Sequence, residues 1–406
     1  MSQKREFDII VWGATGFTGK LVAEYLYQKY GVTDSLKWAI AGRNQEKLEK
    51  VRAEVADTTV PMVIADSKDR ERLDAMVRRT KVLCTTVGPY AKYGSELVAA
   101  CVENQTDYCD LTGEVQWMHK MIGQHHEVAK TKGIKIVHNC GFDSIPSDMG
   151  VYFMQKEAKE RTGQRCKKIQ MRVKAMKGEM SGGTYASLSN VMEEMRKDKS
   201  IYKILSNPYG LNPEGEQQGP DKPDLQKVVY DEVSQNYISP FVMAGINTKV
   251  VRRSNALGSY PYGRDFEYDE ATLSGDGFGG KVKGWGMAIG LGVMMTAKPG
   301  SLLKKGLDSM LPKPGEGPSK EKRETGFFNL QFYGTLENGE IIRGKVTGDR
   351  DPGYGSTSKM LAESAICLAK DELPKTAGIL TPSIAMGDAL LKRLQDNAGL
   401  AFIYKD

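Results

Sequence analysis

The chain has 406 residues but only six cysteines and four histidines. Cys84, Cys101, Cys109, Cys140, Cys166 and Cys367 form no CxxC pair, and no Cys/His group has metal-ligand spacing, which excludes a zinc module and a disulfide scaffold. They read as free thiols of a reducing compartment. No apolar run approaches the ~20 residues that cross a bilayer as a helix. The N-terminal MSQKREFDIIVWG lacks the long apolar core of a secretory leader, so the cytosolic side is expected. Charge of one sign is also lacking: 57 basic residues stand against 51 acidic ones, for a net +6. Because these charges are interspersed, with no basic tail or aromatic-basic ladder, nucleic acid is not expected as a partner. An apolar share of 40% and a charged share of 27% exclude global disorder and a fibrous architecture. The length favours two domains.

What is present is alternation. The run Phe7 to Trp12 is β-rich, ends in a glycine turn, and leads into a helical pattern from Thr18 to about Tyr30. Leu36 to Ala41 repeats the pattern, with Asn44 placed to cap the next helix. Strands follow at Val60 to Ala65, Lys81 to Val87, Tyr108 to Leu111 and Ile134 to His138, with helices between them. This predicts an α/β fold with a Rossmann-type, doubly wound parallel sheet over residues 1–150. Beyond Gly150 the character changes. Alternating residues at Lys167 to Ala175, Asn329 to Gly334 and Ile341 to Val346 predict an α+β domain with a mixed or antiparallel sheet over 151–350, ahead of C-terminal helices over 351–406. Asn207 to Asp224 and Lys298 to Thr325 read as surface loops or partly disordered insertions.

Gly13-Ala14-Thr15-Gly16-Phe17-Thr18-Gly19 is a GxxGxxG that closes a strand and opens a helix, the context in which glycines let a backbone approach a pyrophosphate. An NAD site of this type carries an acid after the second strand to accept from the ribose 2′-OH. Here Ala41-Gly42-Arg43-Asn44 offers a guanidinium instead, which suits a 2′-phosphate and so NADP. Thr86-Val87-Gly88-Pro89-Tyr90 ends the fourth strand on the ligand side of an open sheet. Gly88 permits close approach, Pro89 fixes the exit, and Tyr90 is a candidate proton donor, with Asp143 as an orienting carboxylate. The Tyr25 to Lys29 run matches YxxxK, but it lies on the first helix behind the phosphate turn, out of reach of a nicotinamide.

Together, Gly13 to Gly19, AGRN at 41–44, VGPYAKYG at 87–94, DLTGE at 110–114, CGFDSIPSDMG at 140–150, DPGYGSTSKM at 351–360 and GILTP at 378–382 resemble the saccharopine dehydrogenase-like oxidoreductases. That family includes eukaryotic lipid-droplet-associated members and bacterial trans-acting enoyl reductases. The resemblance implies a nicotinamide site, a mixed-sheet second domain and C-terminal helices that return to the first. It also implies hydride addition to a carbon–carbon double bond of a lipid intermediate, within lipid or glycolipid metabolism. Residues 200–325 share little with the eukaryotic relatives, and they should shape the substrate pocket. A non-catalytic NADP-binding sensor or lipid-droplet scaffold stays open beside the reductase, as does the oligomeric state.

Gly284 to Met295 carries no charge and is too short to span a bilayer. Lys281 and Lys283 precede it, and Lys298, Lys304 and Lys305 follow. Two readings stand: a segment lying on an anionic membrane or lipid-droplet surface, or a buried helix of the second domain.

Overall fold

The computed structural model describes residues 5–55, 59–178, 182–296, 301 and 317–405. The chain divides into two compact units, one of Met1–Ile145 with Gly353–Ala398 and the other of Pro146–Pro352 with Gly399–Asp406.

The first unit begins with strands β1 (Phe7–Trp12), β2 (Trp38–Gly42), β3 (Met62–Ile64), β4 (Thr80–Thr85), β5 (Asp107–Cys109) and β6 (Lys135–Val137). Helices α1 (Phe17–Tyr30), α2 (Gln45–Val55), α3 (Arg70–Val77), α4 (Tyr90–Tyr93), α5 (Ser95–Glu103) and α6 (Val115–Lys132) connect them. Every residue of β1 and β2 is buried, as a parallel strand covered on both faces requires. A seventh strand, Gly378–Leu380, joins beside β6, giving an all-parallel sheet in which β1 has β2 and β3 on one side and β4, β5 and β6 on the other. The order therefore reverses between β1 and β4, and a crevice opens there beyond the strands' C-terminal ends. Helix Thr357–Lys370 packs on β1, β4 and α1. On α1, Tyr25 donates to Glu363, so the YxxxK run belongs to the packing of this helix.

The second unit is a mixed seven-stranded sheet built on β7 (Cys166–Lys177). In chain order its other strands are β8 (Val229–Asp231), β9 (Asn236–Ser239), β10 (Glu267–Gly275), β11 (Phe327–Leu336) and β12 (Ile341–Gly348), closed by Leu400–Lys405. β7 runs parallel to β10 and antiparallel to β11. Helix α7 (Ile145–Thr162) packs on this sheet, where a Cβ on Gly150 would sit 2.4 Å from the Phe332 ring. The close approach leaves room only for glycine.

The stretch Asn207 to Asp224, expected as a surface loop or partly disordered insertion, is a partly exposed loop pinned at several points. Helix Ala244–Leu257 is buried along most of its length and carries polar side chains. From it Arg252 donates to Asp221 and to the Pro208 carbonyl, Thr248 to Asp224, and Arg253 to the Leu211 carbonyl. Buried donors need acceptors, and the loop supplies them. Most of Lys298 to Thr325 lies outside the described residues, as do Lys298, Lys304 and Lys305. The apolar run Gly284 to Met295 falls within helix Gly277–Thr296. Among the described residues no helix is long and apolar enough to cross a membrane.

Candidate active site

The glycine turn sits at the mouth of the β1/β4 crevice, and its three glycines serve different ends. Gly13 has φ +88°, and a Cβ there would meet Val87 Cγ2 at 2.5 Å. A Cβ on Gly19 would lie 2.2 Å from the Gly13 carbonyl oxygen. These two let the turn form and let α1 pack close to it. Gly16 differs: its φ of −83° suits any residue, and a Cβ would meet only the Gly13 oxygen, at 3.3 Å. Its missing side chain is not demanded by the fold.

At the start of α1 the N-cap Gly16 supplies no side-chain hydrogen bond and the first turn holds no acid. By contrast, Asn44 accepts from the Lys47 amide ahead of α2, and Asp69 from the Arg72 amide ahead of α3. The positive dipole end of α1, with no acid in its first turn, therefore fits a bound anion. Thr15 is exposed and Thr18 partly so, while the Phe17 ring packs edge-on against Tyr354 with centroids 4.8 Å apart. A Cβ on Gly42 would touch the Thr15 methyl at 3.6 Å, which places the end of β2 beside the turn. The next residue, Arg43, is exposed and has no ion-pair partner among the described residues. A diphosphate at α1 and a 2′-phosphate at Arg43 thus have a cradle of the right chemistry.

The loops after β4, β5 and β6 meet on the other side of the crevice. Gly88 is exposed and joined to Pro89 by a cis peptide. Glu114 is fully buried, and its two carboxylate oxygens accept from the Tyr90 and Ala91 amides at 2.7 and 2.9 Å. Glu114 thereby caps α4 from another loop. Asp110, also fully buried, accepts from the Tyr108 hydroxyl, His138 Nδ1 and the Thr112 and Asn139 amides. One carboxylate therefore fastens the β5 and β6 exits together.

These bonds redistribute the roles expected from sequence. Tyr90 is 5% exposed; its hydroxyl donates to the Thr85 carbonyl at 3.3 Å and accepts from the Leu111 amide at 3.2 Å. Burial raises its pKa well above the ordinary phenol value. A hydroxyl committed to backbone on both sides is a packing group, and this moves the proton-donor role away from Tyr90. Asp143 is the opposite case. The residue is half-buried, its carboxyl forms no hydrogen bond among the described residues, and it lies next to Gly113, whose Cβ would be 3.4 Å from Oδ2. Desolvation by burial, then the charge of Asp110, pushes its pKa up to about 7. The Phe142 amide bonds to Thr357 Oγ1 at 3.0 Å, so DPGYGSTSKM holds the loop that carries Asp143. The motifs are visible in the sequence but their division of labour is not; the order of acids in DLTGE gives no sign that both hold neighbouring loops in place.

Residues 9–137 match the family model of the saccharopine dehydrogenase NADP-binding domain. Over 403 residues the chain is 40% identical to a putative trans-acting enoyl reductase of Mycobacterium tuberculosis, covering 96% of each chain. The chain belongs to the saccharopine dehydrogenase-like oxidoreductases. It is an NADP-binding oxidoreductase, and the glycine turn, the acid-free start of α1 and the unpaired Arg43 agree with that cofactor. The trans-acting enoyl reductase of Mycobacterium leprae is 36% identical over 409 residues, again at 96% coverage of each chain. Among solved structures, the fold resembles saccharopine dehydrogenase (L-Glu forming) of Saccharomyces cerevisiae, with TM-score 0.55 at 12% identity, covering 98% of this chain and 99% of that one.

Proposed function

We propose that the protein is an NADPH-dependent reductase of an activated carbon–carbon double bond in a lipid-type enoyl substrate, with Asp143 as the proton source. The enoyl class follows the names of the relatives, and the chemistry rests on Asp143. When bound, NADPH supplies the hydride that adds to the β-carbon. The α-carbon then needs a proton, and a half-buried carboxyl that titrates near neutrality and has no hydrogen-bond partner among the described residues is suited to give it. Gly13, Gly16 and the first turn of α1, with Thr15, Phe17, Thr18 and Gly19, hold the diphosphate, and Arg43 selects the 2′-phosphate. Gly88 and Pro89 form the wall against which the nicotinamide half lies. Asp110 and Glu114 keep the surrounding loops in register.

The test is NADPH oxidation by purified protein across enoyl thioesters of increasing chain length, with the product weighed for gain of two hydrogens. A gain confined to enoyl substrates supports the reading. NADPH binding without turnover of any of them supports the non-catalytic sensor instead.

A further inference from the structure

The carboxyl of Asp143 sits on a loop whose backbone is fastened at several points. Asn139 adopts a left-handed φ of 64°; its side chain donates to the Thr112 carbonyl and its amide to the Asp110 carboxylate. The Cys140 amide donates to the Asp110 carbonyl at 2.7 Å. These anchors all come from the β5 exit. The Phe142 amide, next to Asp143, is held from elsewhere: it donates to Thr357 Oγ1 at 3.0 Å, across 215 residues of chain. Close approach makes that bond possible. A Cβ on Gly141 would sit 2.8 Å from Leu111 Cδ2 and 3.1 Å from the Thr357 methyl, so the loop can lie against Thr357 only because Gly141 has no side chain.

Thr357 is itself fixed to the part of the fold that carries the cofactor turn. It opens helix Thr357–Lys370, which packs on β1, β4 and α1, and it follows a π-helical turn, Pro352–Ser356. Such turns are rare and concentrate at functional sites. From this one the buried Tyr354 ring meets Phe17, the first residue of α1, edge-on. One short segment thus touches the glycine turn through Tyr354 and the loop of Asp143 through Thr357. The tolerance of the chemistry is small, since a misplacement of about 1 Å can cost a hundredfold in rate.

We propose that Thr357 is a positioning residue for the reduction: its hydroxyl oxygen, carried on a helix that packs beside the glycine turn, fixes the Phe142 amide and so the place of the Asp143 carboxyl relative to the cofactor. The inference rests on the reading of Asp143 as proton source. Thr357 acts only through the loop and exchanges no proton with the substrate.

Thr357→Val keeps the shape of the side chain and removes the acceptor, whereas Thr357→Ser keeps the acceptor. For valine, kcat should fall about ten- to a hundredfold, with the NADPH Kd within about twofold of wild type and a cooperative melt; for serine, kcat should stay within about threefold. The solvent deuterium isotope effect on kcat should rise in the valine variant because proton transfer has become the slow step, which a general loosening of the fold would not produce. If valine fails to fold, Thr357→Ala removes the same acceptor and carries the same test. Asp143→Asn, alone and combined with Thr357→Val, separates this inference from the reading beneath it. The double variant is expected to be no slower than Asp143→Asn. Undiminished turnover by Asp143→Asn overturns the proton-source reading and this inference with it. An impaired Asp143→Asn beside a Thr357→Val that turns over normally, or that loses as much on top of Asp143→Asn as it does alone, overturns the positioning role only. Titration of the Asp143 carboxyl by carbon-13 NMR requires no substrate: its pKa of about 7 should fall in the valine variant as the released loop gains water, and an unchanged value overturns the proposal.

Discussion

Alanine at Gly16 and alanine at Gly19 should separate binding from folding. At Gly19 the new methyl would sit 2.2 Å from the Gly13 carbonyl oxygen and 2.8 Å from Thr86 Oγ1. Neither atom can withdraw cheaply, one being backbone and the other held between β4 and the turn. Overpacking of this kind costs about 1–3 kcal/mol, a large part of a domain's stability. At Gly16 the backbone is extended and the nearest atom is 3.3 Å away, so alanine at this cap costs at most about 1 kcal/mol. The same methyl stands where the diphosphate must approach. Losing one or two charge-assisted amide bonds removes about 2 kcal/mol or more, roughly thirtyfold in Kd. Thermal melts with NADPH titration by fluorescence measure both quantities. Expected are a near-native melt and weak binding for Gly16→Ala, and a lowered melt for Gly19→Ala. Unchanged NADPH affinity in a folded Gly16→Ala protein would refute the assignment of that face to the cofactor.

Arg43→Ala should weaken NADPH ten- to a hundredfold, about 1.5–3 kcal/mol for a charge-assisted pair, and leave NADH nearly unchanged; the ratio of the two Kd values is the readout, and equal losses would oppose the assignment. With Asp143 titrating near 7, the acid form exists below that pH, so turnover should fall as pH rises through about 7, whereas Asp143→Asn should lose about a hundredfold or more in kcat and show a flat profile there. Glu270 is fully buried and desolvation raises its pKa to about 7; its charged form is disfavoured in the fold, so stability should decline as pH rises from about 4.5 to 7, and denaturant midpoints of Glu270→Gln should show a shallower decline. Glu114→Ala leaves the Tyr90 and Ala91 amides buried without their acceptor, an expected loss of about 2–3 kcal/mol seen as a lower urea midpoint at unchanged slope.

Local rules made the first unit legible. Phe7 to Trp12, the glycines behind it, and Asn44 before α2 each announce their conformation through neighbours a few residues away. The same holds for Arg43, since its place after the second strand is a matter of counting along the chain. Tertiary structure decided what depends on distant partners. Tyr90 and Asp143 look equally eligible in sequence, yet the first is locked between the Thr85 and Leu111 backbones and the second is left unpaired, because loops far apart in the chain converge there. Asn207 to Asp224 reads as a surface loop or partly disordered insertion because it is polar and rich in Pro and Gly; it is held by Arg252, Thr248 and Arg253 on a helix, across separations of 31, 24 and 42 residues. The apolar run at 284–295 is equally compatible with a core or a surface. Only the packing of Gly280 and Gly284 fixes which side of that helix turns outward, since burial is a property of the folded chain and composition records the side chain alone.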